Sequence, residues 1–166
     1  MEIRKSSRHS RIIGSFGESL ISNMLSRSGF ETALVDHTGI DIIAYNPSTE
    51  QRLGITVKSR TRNPGKEETH VNILSYRKGK NDRQRLLDAS VAFNCDPWVA
   101  VYVETAEHAD LYLTSLKHYD ERYRSRTDKA IDDWKMGKQY KETYSHDPDV
   151  KHVEINFNPT NWDWKS

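Results

Sequence analysis

Disulfides are the first thing this sequence does without: it has one cysteine, Cys95, in 166 residues. A lone thiol forms no internal bridge and no cysteine-based zinc cluster, so a reducing cytoplasm is the expected setting. Long apolar runs are missing as well. No stretch approaches the roughly 18 residues that suggest a membrane span. The polar, basic residues 1–11 are not followed by the apolar core of a secretory signal. Internal repeats and low-complexity linkers are absent. Net charge is close to absent too, at +1, so overall charge points to no partner. What remains is an ordinary composition in a chain long enough to bury a core, expected as a single domain over residues 1–166.

The distribution of charge says more than its total. Residues 52–85 hold ten Lys or Arg against three acids, and the rest of the chain is acidic in compensation. Such a concentration on a near-neutral chain is what a phosphate-binding face looks like. A solvated, flexible loop has the same composition.

Hydrophobic periodicity gives the elements. Phe16, Leu20 and Met24, with Ile21 and Leu25 on a neighbouring row, predict a helix over 14–29. Ser15 and Glu18 have the spacing of a capping box, and Gly29 is a natural stop. Strands are expected at 31–36, 40–45 and 52–60, the last two pairing as a hairpin. A basic, polar stretch follows, with a strand at 70–76 inside it. Then come a helix at 82–94, strands at 98–104 and 110–116, and a short helix at 115–123. A further helix is expected over 130–144, broken near Gly137, and a last strand at 150–157. This is an α/β order with one mixed sheet. The core is expected at about 14–116, with a helix-and-strand extension over 117–166.

Alternation along 52–60 points Leu53, Ile55 and Val57 one way and Thr56, Lys58 and Arg60 the other. One side therefore meets a core and the other a cleft or solvent. Asp41 opens the preceding strand among β-branched residues. An acid there is unfavourable unless it is paired, solvated or bound to a metal. If the strands pair, Asp41 approaches the Thr56 and Lys58 side. Glu18 is the third candidate. Two carboxylates and a lysine suit phosphodiester hydrolysis. A hard Mg²⁺ takes oxygen ligands, and a lysine can orient water and stabilise developing negative charge.

Gly17-Glu18, Leu25, Gly29-Phe30, Gly39-Ile40-Asp41-Ile42-Ile43 and Thr56-Val57-Lys58-Ser59-Arg60 come in the order of the motifs of the PD-(D/E)XK nuclease superfamily. Over residues 14–104 the chain resembles its small resolvase-like and restriction-endonuclease-like members. The resemblance implies an α/β fold with an αβββαβ core, a mixed central sheet and flanking helices. It implies metal-dependent hydrolysis of DNA in repair, recombination or restriction. Glu18, Asp41 and Lys58 would be catalytic. Mg (or Mn) would be held by Glu18, Asp41, the Val57 backbone carbonyl and, weakly, Thr56. Arg60, Arg62, Arg77, Lys78, Lys80, Arg83 and Arg85 would face nucleic acid. It is also compatible with a homodimer. The departure is Thr56, which stands where the superfamily carries Glu, Asp or Gln. Asp36, in the turn before Asp41, is a further carboxylate within reach. The other function this departure suggests is a nuclease fold that binds nucleic acid without cleaving it. His9, His37 and His70 read as isolated surface or turn residues, and Cys95 as a small buried hydrophobe. Trp162 and Trp164 read either as base-stacking rings or as packing for the tail.

Overall fold

Apolar side chains run unbroken through residues 99–103, and every one of them is buried. A strand buried on both faces belongs in the middle of a sheet with cover on each side, and that is its position. The computed structural model describes residues 3–76, 79, 81–125 and 132–158. In chain order the elements are α1 (His9–Arg27), β1 (Glu31–Leu34), β2 (Ile42–Tyr45), β3 (Arg52–Thr61), β4 (Val71–Leu74) and α2 (Asp82–Ala92). They continue with β5 (Asp96–Glu104), β6 (His108–Ser115), α3 (Leu116–Arg122), β7 (Asp132–Trp134), α4 (Lys138–Ser145) and β8 (Lys151–Asn156).

Six strands form the main sheet in the order β1-β2-β3-β5-β6-β8. Only β3 and β5 run parallel, joined through α2; the other neighbours are antiparallel. A parallel pair needs such a crossover, because a tight turn cannot return the chain to the same end. The expected αβββαβ order is present, with β4 inserted before α2. β4 leaves the main sheet and pairs with β7 in a separate two-stranded ladder.

The two faces of the sheet have different cores. Beneath α1, Leu53, Ile55, Ala100 and Tyr102 pack with Ile13, Ile21 and Leu25, and Val57 joins them. On the other face Val99, Val101 and Val103 meet Leu86 and Ala89 of α2 and the β4–β7 pair. Several rings fill this second core. Trp134 stacks on Tyr144 at 4.3 Å, and Tyr112 lies 5.4 Å from Trp134.

Several sequence expectations need correction. α1 starts at His9 rather than residue 14, capped by Arg8 with no side-chain bond. Ser15 and Glu18 are therefore interior, and no capping box forms. Phe16 is 44% exposed and meets the edge of the sheet-borne Tyr102 ring, while Gly17 takes the position pressed against β3. A Cβ at Gly17 would collide with Ser59 Oγ, so the missing side chain lets the helix lie on β3. Residues 132–134 are a strand rather than helix, and the last helix begins after Gly137. Among the described residues, no helix is long and apolar enough to cross a membrane.

Candidate active site

β2 and β3 pair from Ile42 opposite Ile55 to Tyr45 opposite Arg52. Just beyond that ladder, Asp41 N donates to Ile55 O at 2.8 Å, and there the strand pairing stops. The Asp41 side chain takes over. Its Oδ2 accepts from Val57 N at 2.6 Å and from the Thr56 hydroxyl at 3.3 Å. The N–H and C=O of one strand residue leave by the same edge. The Val57 carbonyl is therefore directed to the side on which Asp41 lies.

Glu18 approaches from α1. Its carboxyl is pushed above the usual carboxylate range, first by burial and then by the negative charge of Asp41. Among the described residues, no basic side chain lies within 4.0 Å of either carboxylate. Among the described residues, the two acids have no counter-charge in contact with them. Thr56 is buried and adds a neutral hydroxyl to the group. Asp36 lies beyond the end of β1 and is exposed.

Lys58 lies on the Thr56 face of β3, and its Nζ is 4.0 Å from Asp82 Oδ2 at the start of α2. Asp82 is fixed in turn: Ser75 N donates to its carboxylate at 3.0 Å, and its own N–H donates to Ser75 O. Gly39 matters for this arrangement. A Cβ there would collide with the Arg85 carbonyl, so the backbone just before Asp41 packs directly on α2. Lys58, Asp82 and Arg60 line an open cleft of about 390 Å³ on this face.

The basic residues divide. Arg60 is exposed, and among the described residues it bonds only to the neighbouring Ser59 carbonyl. Arg62 Nη2 donates to the carbonyls of Thr69 and His70. Burial and the charge of Arg60 together lower its pKa. Arg85 is half-buried, with Nη1 3.9 Å from Asp82. Arg77, Lys78 and Lys80 lie outside the described residues, as do Trp162 and Trp164. Arg83 differs from expectation. It is 9% exposed, and its guanidinium makes four hydrogen bonds to Asp120 and Asp132. Arg124 Nε adds another to Asp132 at 3.0 Å. Arg83 therefore holds α2 to α3 and β7 and is not free to meet a ligand.

A second cluster was not legible in the sequence. His118 Nε2 bonds Asp147 at 2.8 Å, and the Tyr123 hydroxyl donates to the same oxygen. With Asp149 this is the one group of three metal-ligand types, among the described residues, whose atoms lie within 4.8 Å of one another. Its hydrogen bonds tie α3 to the turn before β8. Cys95 is half-buried, its thiol pKa raised chiefly by burial, which leaves it a poor nucleophile.

No protein-family model matches this sequence, and no curated protein does. Solved structures do match. One is a Holliday junction resolvase, Hjc, from the archaeal hyperthermophile Archaeoglobus fulgidus. The two share 18% identity and a TM-score of 0.52, over 78% of this chain and 88% of the resolvase. Likeness at that identity is likeness of fold. The chain is an α/β protein with a restriction-endonuclease-like fold, and the start of β2, where Asp41 lies within electrostatic reach of Glu18, is its candidate active site.

Proposed function

We propose that this protein is a divalent-metal-dependent endonuclease that hydrolyses DNA phosphodiester bonds in recombination, repair or restriction. One observation carries the reading: Glu18 and Asp41 interact with no counter-charge among the described residues, and Asp41 is bonded to the Val57 backbone of the strand that also bears Lys58. Uncompensated paired acids raise the free energy of a fold unless something cationic joins them. The donor set is all oxygen, which fits Mg²⁺ or Mn²⁺. Glu18, Asp41 and the Val57 carbonyl would hold the ion, with the Thr56 hydroxyl a weak addition. Such an ion supplies charge neutralisation at the phosphate and a more acidic bound water.

The chain's own groups have definable parts. Val57 N–H fixes one Asp41 oxygen, and among the described residues the other takes no hydrogen bond and would be available to bind. Lys58 is the group to orient the attacking water and to stabilise negative charge on the phosphate. Asp82 limits where that ammonium can go. Arg60, with Arg62 and Arg85 behind it, would meet the phosphates of the strand, together with Arg77, Lys78 and Lys80 of the neighbouring segment. The fold shared with a Holliday junction resolvase supports DNA as substrate and is compatible with a homodimer. The single cysteine supports a cytoplasmic location.

Incubation of the purified protein with plasmid and four-way-junction DNA tests this. Cleavage is expected with Mg²⁺ or Mn²⁺, and none from Asp41→Asn or Lys58→Ala. Cleavage that survives both substitutions removes the proposed site. Thr56 favours a second reading, because its hydroxyl donates to Asp41 where an acid would add a ligand. Under that reading the protein binds DNA and cuts none of these substrates. Metal binding separates the two: under the first reading Mn²⁺ binds tightly and Asp41→Ala eliminates it, and under the second there is no tight binding to eliminate.

A further inference from the structure

The cleft beside Lys58 has a second wall, and it contains a histidine seated on a buried acid. His70 lies just before β4. Arg62 fixes the backbone there, donating to His70 O at 3.0 Å. The β4–β7 ladder then sets Asn72 opposite Asp133. His70 Nε2 lies 3.3 Å from Asp133 Oδ2. The two partners differ sharply in exposure, 56% for the His70 side chain against 6% for Asp133. The other carboxylate oxygen, Oδ1, is buried and has no hydrogen-bond partner among the described residues.

A carboxylate in that position is costly unless a cation offsets it. Among the described residues, His70 is the only partner within 4.0 Å that can carry a positive charge. A protonated ring satisfies Asp133 with one nitrogen and presents the rest of its charge to the cleft. His70, Arg60 and Lys58 all line that cleft. Arg62 stands behind them, and the mutual repulsion of Arg60 and Arg62 is part of what lowers the Arg62 pKa. An anion entering the cleft relieves that repulsion. The opposing charges are Asp82 on the α2 wall and Asp133 beneath the ring.

We propose that His70, held by Asp133, forms with Arg60 a second phosphate-binding subsite for the nucleic-acid strand, next to Lys58 in the same cleft. This rests on the nuclease reading and deepens it. The subsite binds one backbone phosphate and performs no chemistry. Only the protonated ring brings a positive charge to the phosphate, so acidification should strengthen the grip. Asn72, exposed beside Asp133 in the ladder, offers a neutral donor to the same phosphate.

Fluorescence anisotropy of a labelled DNA duplex, in EDTA so that no cleavage occurs, tests this at pH 6 and pH 8 over a range of salt. Each lost phosphate contact lowers the slope of log affinity against log salt by about 1. At pH 6 the wild-type slope should exceed that of His70→Ala by this amount. At pH 8 the two should converge. His70→Arg, with a permanent charge at an exposed position, should keep the pH 6 slope at both pH values. Asp133→Asn should weaken the gain on acidification. His70→Ala that superimposes on wild type at both pH values overturns the subsite while DNA binding stands. A wild-type protein that binds no DNA at low salt overturns the nucleic-acid reading, and the subsite with it.

Discussion

At one end of α2, Asp120 and Asp132 share a guanidinium that makes four hydrogen bonds to them, and Arg124 adds a fifth. At the start of β2, the charge of Asp41 acts on Glu18, and among the described residues no basic side chain lies within 4.0 Å of either. Both groups are acids brought together by tertiary structure, yet only the first is neutralised from within. Asp132 is fully buried and saturated, as a structural acid must be. Asp41 is half-buried and fixed through one oxygen alone. The difference separates acids that hold the fold from acids held ready for something outside it.

Breaking the saturated group should have the largest effect. Arg83→Ala leaves Asp120 unpaired and the fully buried Asp132 with Arg124 alone, and should destabilise the fold by about 3 kcal/mol in denaturant titration. The expected effect on the other group is kinetic. Lys58→Ala should lower the cleavage rate by roughly 10²–10³-fold, the scale for losing one preorganised charge-stabilising donor. Its stability should change by less than about 1 kcal/mol, because the Asp82 contact at 4.0 Å is partly solvated. A comparable stability loss in the two variants would erase the distinction. Gly39→Ala lies between them. Its Cβ meets the α2 backbone, so about 1–3 kcal/mol of overpacking is expected, with cleavage reduced because α2 shifts from Asp41.

The smallest effect is the most diagnostic in sign. The Glu18 pKa is raised in the fold, so the folded state holds that proton more tightly than the unfolded chain does. The stability this contributes is fully present below the ordinary carboxylate range and is lost as pH rises through the raised value. Glu18→Gln should therefore be slightly more stable than wild type at neutral pH, and the gap should close on acidification. Saturating Mn²⁺ should reverse the order by stabilising only the protein that binds it. Melting curves at two pH values, with and without Mn²⁺, check all of this.

How far the sequence foretold this contrast depends on range. Strand alternation placed Leu53, Ile55 and Val57 against Thr56, Lys58 and Arg60, because a period of two is fixed locally. Asp41 was legible as an acid at a strand opening. On α1, Ile21 and Leu25 were legible and are buried, but the part of the face through Gly17 was not, since Gly17 is selected by Ser59, more than 40 residues downstream. The start of α1 carried no capping signal to read. Arg83 looked like one more cation of a basic stretch, because Asp120 and Asp132 are brought to it only by folding. β7 is three residues with two acids, and its strand character comes from pairing with β4 rather than from propensity. His70 read as a surface histidine for the same reason: Asp133 is 63 residues away in the chain.

Calorimetric titration of Mn²⁺ into wild type and Asp41→Asn tests the central claim most directly. The account predicts saturable binding by the wild type that Asp41→Asn loses, with both proteins folded. Equal binding by the two, or no binding by the wild type, would contradict it.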